Sequence, residues 1–345
     1  MKKTILITGG CGFIGTNASL HYLKRNNKVV VYDNLSRQGA KENLEWLKGS
    51  EGFVFIKGDI RDNKKLLTTF KKYKPDLTLH LAAQVAMTTS VENPRYDFEV
   101  NALGTFNVLE AMRITRNKGI LIYSSTNKVY GELKELPVIE KRKRYSYKNI
   151  KGISEKYPLD FHGPYGCSKG AGDEYVIDYA RIFGLNTIVF RQSGIYGPHQ
   201  FGIEDQGWLA WFCNALLFDK PVTIYGNGKQ VRDVLYIDDL IEAFDLAFKN
   251  IKKTKGKAYN IGGGAKFSLS IWELFEILEK LSGKKFRYSF GPWRPGDQKI
   301  YISDLTLAKK DFSWSPKTSP REGIKKLYNW ISQNKNLIKK AGVFK

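Results

Sequence analysis

The first fifteen residues constrain the fold more than any other stretch. Thr4-Ile5-Leu6-Ile7-Thr8 is a short apolar, β-prone run, and Gly9-Gly10-Cys11-Gly12-Phe13-Ile14-Gly15 follows it without a spacer. Such a run reads as a strand buried on both faces of a parallel sheet. Gly9, Gly12 and Gly15 form a G-x-x-G-x-x-G pattern, and a helical pattern from about Phe13 to Arg25 comes next. Strand, glycine turn and helix in that order bring free backbone N–H groups and the positive end of a helix dipole to one spot, which suits a pyrophosphate. A second strand, Val29-Val30-Val31-Tyr32, ends on Asp33, where a carboxylate can accept both hydroxyls of a ribose. Asp33 would repel a 2′-phosphate and so argues for NAD over NADP, although Arg37 close by keeps the second choice open.

The rest of the first half repeats the rhythm. Phe53–Ile56, Leu77–Leu81, Gly119–Tyr123 and Thr187–Arg191 read as strands, with helical patterns between most of them, among them Phe106–Ala111 and a long one around Lys169 to Phe183. Strands alternating with helices indicate an α/β fold with a doubly wound parallel sheet of the Rossmann kind. After Arg191 glycine, proline and aromatic residues become dense, as in Ser193-Gly194-Ile195-Tyr196-Gly197-Pro198. We expect a dinucleotide-binding domain from 1–191 plus 234–262, and a smaller interleaved substrate-binding domain from 192–233 plus 263–340. Residues 135–160 read as a polar insertion rich in Lys, Arg and Tyr.

Composition narrows the function classes. Lys and Arg number 56 against 34 Asp and Glu, a formal charge of +22. That excess raises nucleic acid, membrane surface and anionic small molecules as partners. It is spread over doublets such as Lys64-Lys65, Lys252-Lys253 and Lys339-Lys340, which read as solvated helix faces and loop ends. Only Lys141-Arg142-Lys143-Arg144-Tyr145-Ser146-Tyr147-Lys148 offers a basic stretch with interleaved aromatics, so no nucleic-acid partner is expected. No apolar run approaches the roughly 18 residues of a spanning helix, so no membrane partner is expected either. Met1-Lys2-Lys3 leads into an apolar run that meets glycines at once, unlike a signal peptide, and a cytoplasmic protein is expected. Cys11, Cys167 and Cys213 are far apart, and His21, His80, His162 and His199 lack ligand spacing, so neither a disulfide framework nor a metal site is expected.

Tyr165-Gly166-Cys167-Ser168-Lys169 sets a phenol and an amine four apart at the start of a helix, on one face. An ordinary tyrosine, with a pKa of about 10, is a poor base at neutral pH. A nearby ammonium and an oxidised nicotinamide ring both favour the phenolate and would make Tyr165 a general base. Without the glycine loop the same pair would read as a surface contact. Ser124-Ser125-Thr126 directly follows the fifth strand, at the carboxyl end where open parallel sheets hold ligands. A hydroxyl there either bonds the substrate oxygen or caps a turn. Asp59, after the third strand, fits an adenine contact and a solvated loop equally.

These residues resemble the extended short-chain dehydrogenases/reductases, the NAD-dependent nucleotide-sugar epimerases and dehydratases, over nearly the whole chain. The resemblance rests on the glycine loop, Leu81-Ala82-Ala83-Gln84, Asn101 with Gly104-Thr105, Ser124-Ser125-Thr126, Tyr165 with Lys169, and Gly226-Asn227-Gly228-Lys229-Gln230-Val231-Arg232-Asp233. It implies a tightly held NAD and a catalytic triad of Thr126, Tyr165 and Lys169. It implies cofactor contacts from Gly9, Gly12, Phe13, Ile14 and Gly15, from Asp33, Asn34, Asp59 and Ile60, from Leu81, Ala82, Ala83, Gln84 and Asn101, and from Ser124, Tyr165 and Lys169.

The branch can be narrowed. Dehydratases of this family carry Asp and Glu directly after the triad threonine, as acid and base for eliminating water; here Asn127 and Lys128 stand there. The chain is more similar to the CDP-paratose 2-epimerases (also called CDP-tyvelose 2-epimerases) in Ser125–Gly131, Leu159-Asp160-Phe161-His162, Gln200–Trp208 and Trp293-Arg294-Pro295-Gly296-Asp297-Gln298. His199 departs from that pattern, which commonly has Arg there. The implied activity is inversion at C2 of the sugar of a CDP-hexose, through a keto sugar reduced again from its other face. A UDP-sugar 4-epimerase on the same scaffold is the alternative. The implied substrate contacts are Thr126, Asn127, Gln206, Trp208, Tyr225, Gln230, Arg232, Arg294 and Asp297. Arg232 and Arg294 serve as planar forks for the diphosphate, and Asp297 either takes a ribose hydroxyl or orients Arg294. Trp208, Trp211, Phe212 and Trp293 wall the ligand or belong to the core. Family members form dimers or tetramers, so a homo-oligomer is expected.

Overall fold

The structure is a computed structural model that describes residues 2–294 and 296–344; Pro295, in the Trp293–Gln298 run, lies outside the described residues. Seven parallel strands form the central sheet: β1 (Thr4–Thr8), β2 (Lys28–Asp33), β3 (Phe53–Lys57), β4 (Leu77–His80), β5 (Ile120–Thr126), β6 (Asn186–Gln192) and β7 (Lys257–Ile261). Their order across the sheet is β7-β6-β5-β4-β1-β2-β3. The chain therefore winds outward from β1 to β3, returns, and winds out the other way from β4. The carboxyl ends of β1 and β4 flank the crevice left at that reversal, where doubly wound sheets bind ligands.

The sheet explains why its strands read as unbroken apolar runs. Successive side chains point to opposite faces. Leu6, Val30, Leu121 and Val189 join one buried cluster, whereas Ile5, Ile7, Val29, Val31, Ile122 and Ile188 join the other. Helices cover both faces, so neither set is polar.

The second cluster continues without a break into the C-terminal part, through Phe212, Ile224, Leu274, Phe312, Trp314 and Ile331. That part holds a three-stranded sheet of Val231–Asp233 with Ser268–Ser270 and Ile300–Tyr301, and a parallel pair of Val222–Tyr225 with Tyr288–Gly291. The expected insertion forms a hairpin, Val138–Glu140 with Tyr145–Tyr147. Its basic run is engaged rather than merely solvated. Arg144 pairs with Glu273 at 3.2 Å and donates to Ser268 Oγ at 2.7 Å, and Lys143 pairs with Glu276. The helix expected from about Lys169 begins earlier, at Gly163, and runs to Phe183. Among the described residues no helix is long and apolar enough to cross a membrane, and no cluster of three potential metal ligands occurs.

Candidate active site

The glycine loop turns where β1 ends. Gly9 has a φ of 69°, the left-handed region, and a Cβ placed there would lie 2.7 Å from the backbone nitrogen of Ala82. A Cβ on Gly15 would lie 2.4 Å from the carbonyl oxygen of Gly9. Helix Phe13–Lys24 can thus start tight against the turn only because both positions lack a side chain. Gly15→Ala should displace the loop, and the variant should purify with less bound dinucleotide than the parent, read from its nucleotide absorbance after denaturation.

Asp33 holds the loop in shape. Its Oδ2 accepts from Cys11 N at 2.9 Å and its Oδ1 from Leu35 N at 2.7 Å. Burial raises its pKa, and the two N–H donors oppose that rise. Asp59 is bound differently. Burial alone would raise its carboxyl, but hydrogen bonds from Arg61 and Asn34 bring it down to about 2. A groove of about 200 Å³, open to solvent, runs over these residues; its walls include Gly9, Gly12, Phe13, Ile14, Gly15, Asp33, Asn34, Asp59, Ile60, Leu81, Ala82 and Ala83. Arg37, His199 and Phe201 also line it. The Phe201 ring and the His199 imidazole pack against Trp330, a contact from far along the chain that local sequence does not disclose.

Gln84 and Asn101 stand behind the groove rather than on it. Gln84 N donates to Asn101 Oδ1 at 2.9 Å, and Asn101 Nδ2 donates to Gln84 O at 3.0 Å, to Asp97 Oδ1 at 3.1 Å and to Ser168 Oγ at 3.1 Å. Asn101 sits in a wide π-type turn, Glu99–Leu103, and is 1% exposed. The expected cofactor contact is therefore, for these two residues, a brace between the loop after β4 and helix Gly163–Phe183.

Thr126 ends β5, and Tyr165 and Lys169 share one face of the long helix; all three are buried. The turn-capping reading of the Thr126 hydroxyl is seen directly: its oxygen accepts from Lys128 N at 3.2 Å, capping the tight turn Asn127–Tyr130. The expected lowering of the phenol pKa by Lys169 is not what the structure gives. Burial pushes Tyr165 up to about 12, with the Thr126 hydrogen bond acting against it. Burial also brings Lys169 down to about 7, partly offset by Asp173 and Asp97. Its Nζ donates to Ser124 O at 2.5 Å and lies 4.3 Å from the centre of the Tyr123 ring.

A buried ion pair underlies this constellation. Asp173 accepts from Arg191 Nε at 3.0 Å and Nη2 at 2.9 Å, and from Ser125 Oγ at 2.6 Å. Arg191 Nη1 donates to the Tyr130 hydroxyl at 3.1 Å, which in turn donates to Asn260 Oδ1 at 2.8 Å. The long helix, β5, β6 and the turn after Thr126 are thereby joined directly beside the triad. Ser124 Oγ donates to Gln192 Oε1 at 3.1 Å, and among the described residues the buried Gln192 Nε2 has no acceptor.

A second cavity, of about 560 Å³, adjoins the groove, with Gln206 and Gly207 in both walls. It gathers Gln206, Trp208, Tyr225, Gln230, Arg232, Arg294 and Asp297 of the expected substrate set, together with Trp211 and Phe212. Among the described residues Gln206 Oε1, Gln230 Oε1 and Trp211 Nε1 are buried without hydrogen-bond partners, so this cavity suits a polar ligand. Asn127 is turned away: its amide donates to Gln298 Oε1 at 3.0 Å. Lys128, which spacing did not single out, lines the cavity instead. Asp297 does not orient Arg294. It accepts from Arg232 at 2.7 Å, while Arg294 pairs with Asp205 at 3.0 Å and stacks on Tyr225, 3.9 Å from the ring centre. Trp293 lies on a neighbouring hollow beside Tyr147 and Lys299.

With this geometry in view, comparisons with known proteins become informative. Residues 6–327 match the family described as GDP-mannose 4,6 dehydratase. The chain is 48% identical over 334 residues to the CDP-paratose 2-epimerase of Salmonella typhi, covering 95% of this chain and 99% of that one. Among solved structures it superposes with a TM-score of 0.83 on the UDP-glucose 4-epimerase of Thermotoga maritima in complex with UDP-glucose, at 31% identity, covering 96% of this chain and 99% of the other. The UDP-glucuronic acid 4-epimerase of Bacillus cereus, in complex with UDP-glucuronic acid and NAD, gives a TM-score of 0.83 at 30% identity, again over 96% of this chain and 99% of the other. The chain belongs to the GDP-mannose 4,6 dehydratase family of extended short-chain dehydrogenases/reductases, the NAD-dependent epimerases and dehydratases of nucleotide sugars.

Proposed function

We propose that this protein is an NAD-dependent epimerase that inverts C2 of the hexose in a CDP-sugar of the paratose/tyvelose type. One observation carries the reaction class: the buried Thr126, Tyr165 and Lys169 sit where the turn leaving Thr126 delivers Lys128, not a carboxylate, into the second cavity. The 48% identity to a CDP-paratose 2-epimerase supports the carbon and the base. In this reading 1–191 plus 234–262 chiefly hold the dinucleotide and 192–233 plus 263–340 the nucleotide sugar, with His199–Gly202 also walling the first groove and Met87 and Lys128 the second cavity.

NAD fits the first groove: the bare Gly9 and Gly15 let the glycine turn and the start of helix Phe13–Lys24 pack tightly, so the backbone N–H groups at the helix N-terminus line the groove, and Asp33 lies at its ribose end. When bound, NAD supplies the hydride acceptor and donor and a positive ring whose charge favours the Tyr165 phenolate. Tyr165 takes the proton from the reacting hydroxyl and later returns one. Thr126 holds the same oxygen, and Lys169, fixed by the Ser124 carbonyl, orients the phenol and the nicotinamide ribose. Between the two proton transfers the keto sugar turns, while Arg232 and Arg294 retain the diphosphate.

Product analysis over CDP-, UDP-, GDP- and ADP-hexoses tests the assignment. A CDP-sugar inverted at C2, with its C2 deuterium retained, is expected. Exchange of that deuterium with solvent, or inversion at C4 of a UDP-sugar alone, would overturn it. We also propose self-association through Phe98, Leu103, Tyr175, Ile182 and Phe183, all exposed on the helical segments Pro94–Phe98, Glu99–Leu103 and Gly163–Phe183. Sedimentation should show a species of at least twice the chain mass.

A further inference from the structure

Lys128 is the cation in the second cavity that neither the triad nor the pair of arginines accounts for. It leaves the turn that begins at Thr126, and its side chain is 20% exposed. Its Nζ donates to Gly296 O at 3.0 Å and lies 3.9 Å from Asp297 Oδ1, beyond hydrogen-bond reach. Asp297 Oδ1 is already the acceptor for Arg232. Among the described residues, then, one of the three ammonium N–H groups has an acceptor, on a side chain that lines the cavity. Burial and the like charge of Arg232 bring its pKa down to about 8, against the pull of Asp297 and Glu132. With N–H donors to spare on a cavity wall, this amine can hydrogen-bond a ligand that enters the cavity.

Position decides which part of the ligand that partner is. Arg232 and Arg294 share the cavity wall and present forks suited to a diphosphate. Lys128 is separated from Arg232 by a single carboxylate, that of Asp297, on the side toward Thr126. Its backbone N–H is bonded to the Thr126 hydroxyl and its ammonium lies near the carboxylate that Arg232 engages, so one residue connects the triad with the cations of the second cavity. The adjacent Asn127 cannot serve, being bonded to Gln298.

We propose that the Lys128 ammonium donates to hydroxyl groups of the hexose and follows them as the sugar turns. This rests on the epimerase reading above. Rotation between the two half-reactions presents different hydroxyls to the same wall. A compact cation on a four-carbon stem, with three rotatable donors, can track them; a planar guanidinium in fixed geometry cannot.

The test is a binding comparison on the full-length protein loaded with its dinucleotide, using Lys128→Met, which keeps the stem and removes the donors. Calorimetry compares a nucleoside diphosphate with its hexose derivative. Met at 128 should leave the affinity for the nucleoside diphosphate unchanged and weaken the hexose derivative about ten- to hundredfold, the worth of a hydrogen bond to a charged group. In turnover, KM should rise, and Lys128→Arg should rescue binding more than kcat. Equal weakening of both ligands would make Lys128 a diphosphate or structural residue and overturn the proposal, as would an unchanged affinity for the hexose derivative. The comparison is run with CDP and CDP-glucose and with UDP and UDP-glucose. The parent protein's own choice between the two series reports on the base assignment, and the Lys128 increment is read within whichever series binds.

Discussion

Tyr165→Phe should reduce turnover by about 10²- to 10⁴-fold, the range of a lost general acid–base group, and leave the fold and the bound dinucleotide in place. The substitution removes one oxygen from a side chain that is 8% exposed and whose ring packing phenylalanine reproduces. Lys169 does not depend on the phenol for its position, because its Nζ is already bonded to the Ser124 carbonyl. Thr126 likewise keeps its bond from Lys128 N. The variant thus isolates proton transfer from architecture. Initial rates with the preferred nucleotide sugar, alongside the cofactor absorbance of the purified protein, make the measurement. Activity within a few-fold of the parent would show that another group moves the proton, and loss of the dinucleotide would show that the hydroxyl is part of cofactor binding.

Asp173→Ala should cost about 3–5 kcal/mol of stability, the usual loss when one partner of a buried ion pair is removed. Asp173 is wholly buried and the Arg191 side chain is 4% exposed. Without the carboxylate, the guanidinium retains the Tyr130 hydroxyl alone and Ser125 Oγ loses its acceptor. Two strands and a helix lose their shared anchor, so the denaturant midpoint should fall sharply with little change in the slope. Asp173→Asn, which keeps the shape and one acceptor oxygen, should fall less. Replacing both partners together, Asp173→Leu with Arg191→Met, should recover part of the loss, because no buried charge is then left alone. A single-variant loss below about 1 kcal/mol, the worth of one ordinary hydrogen bond, would mean that solvent reaches the site.

The parts of this molecule legible in sequence are those governed by local physics. A parallel strand buried on both faces leaves an apolar run, and a loop pressed against a phosphate leaves glycines, so β1, β2 and the groove between them are visible in the first fifteen residues and Asp33. The start of the Tyr165 helix is not. Gly163, Gly166, Gly170 and Gly172 lower helix propensity there, and for Gly170 and Gly172 the reason is tertiary. A Cβ on Gly172 would lie 2.5 Å from the Tyr123 hydroxyl, so the helix must be bare where it crosses β5. The resemblance likewise put Asn127 on the ligand, whereas Lys128 is the one that lines the cavity. On a tight turn adjacent side chains diverge, and a distant residue, Gln298, decides the matter by engaging Asn127. The partner of Arg294 was hidden for the same reason: Asp205 is remote in sequence and meets it only across the cavity.

Those arginine–carboxylate pairs alter how the ligand-free pocket greets an anion. Arg232 with Asp297 and Arg294 with Asp205 make the pocket nearly charge-balanced in spite of a chain that carries +22. A diphosphate that takes these guanidinium groups enters by exchange, displacing carboxylates that stand ready to return. Its hold then reflects a difference between two sets of ion pairs, not the whole attraction of two bare cations. Such a pocket captures a nucleotide sugar firmly enough to let the hexose swing, yet releases the product without having to strip an anion from unpartnered positive charge.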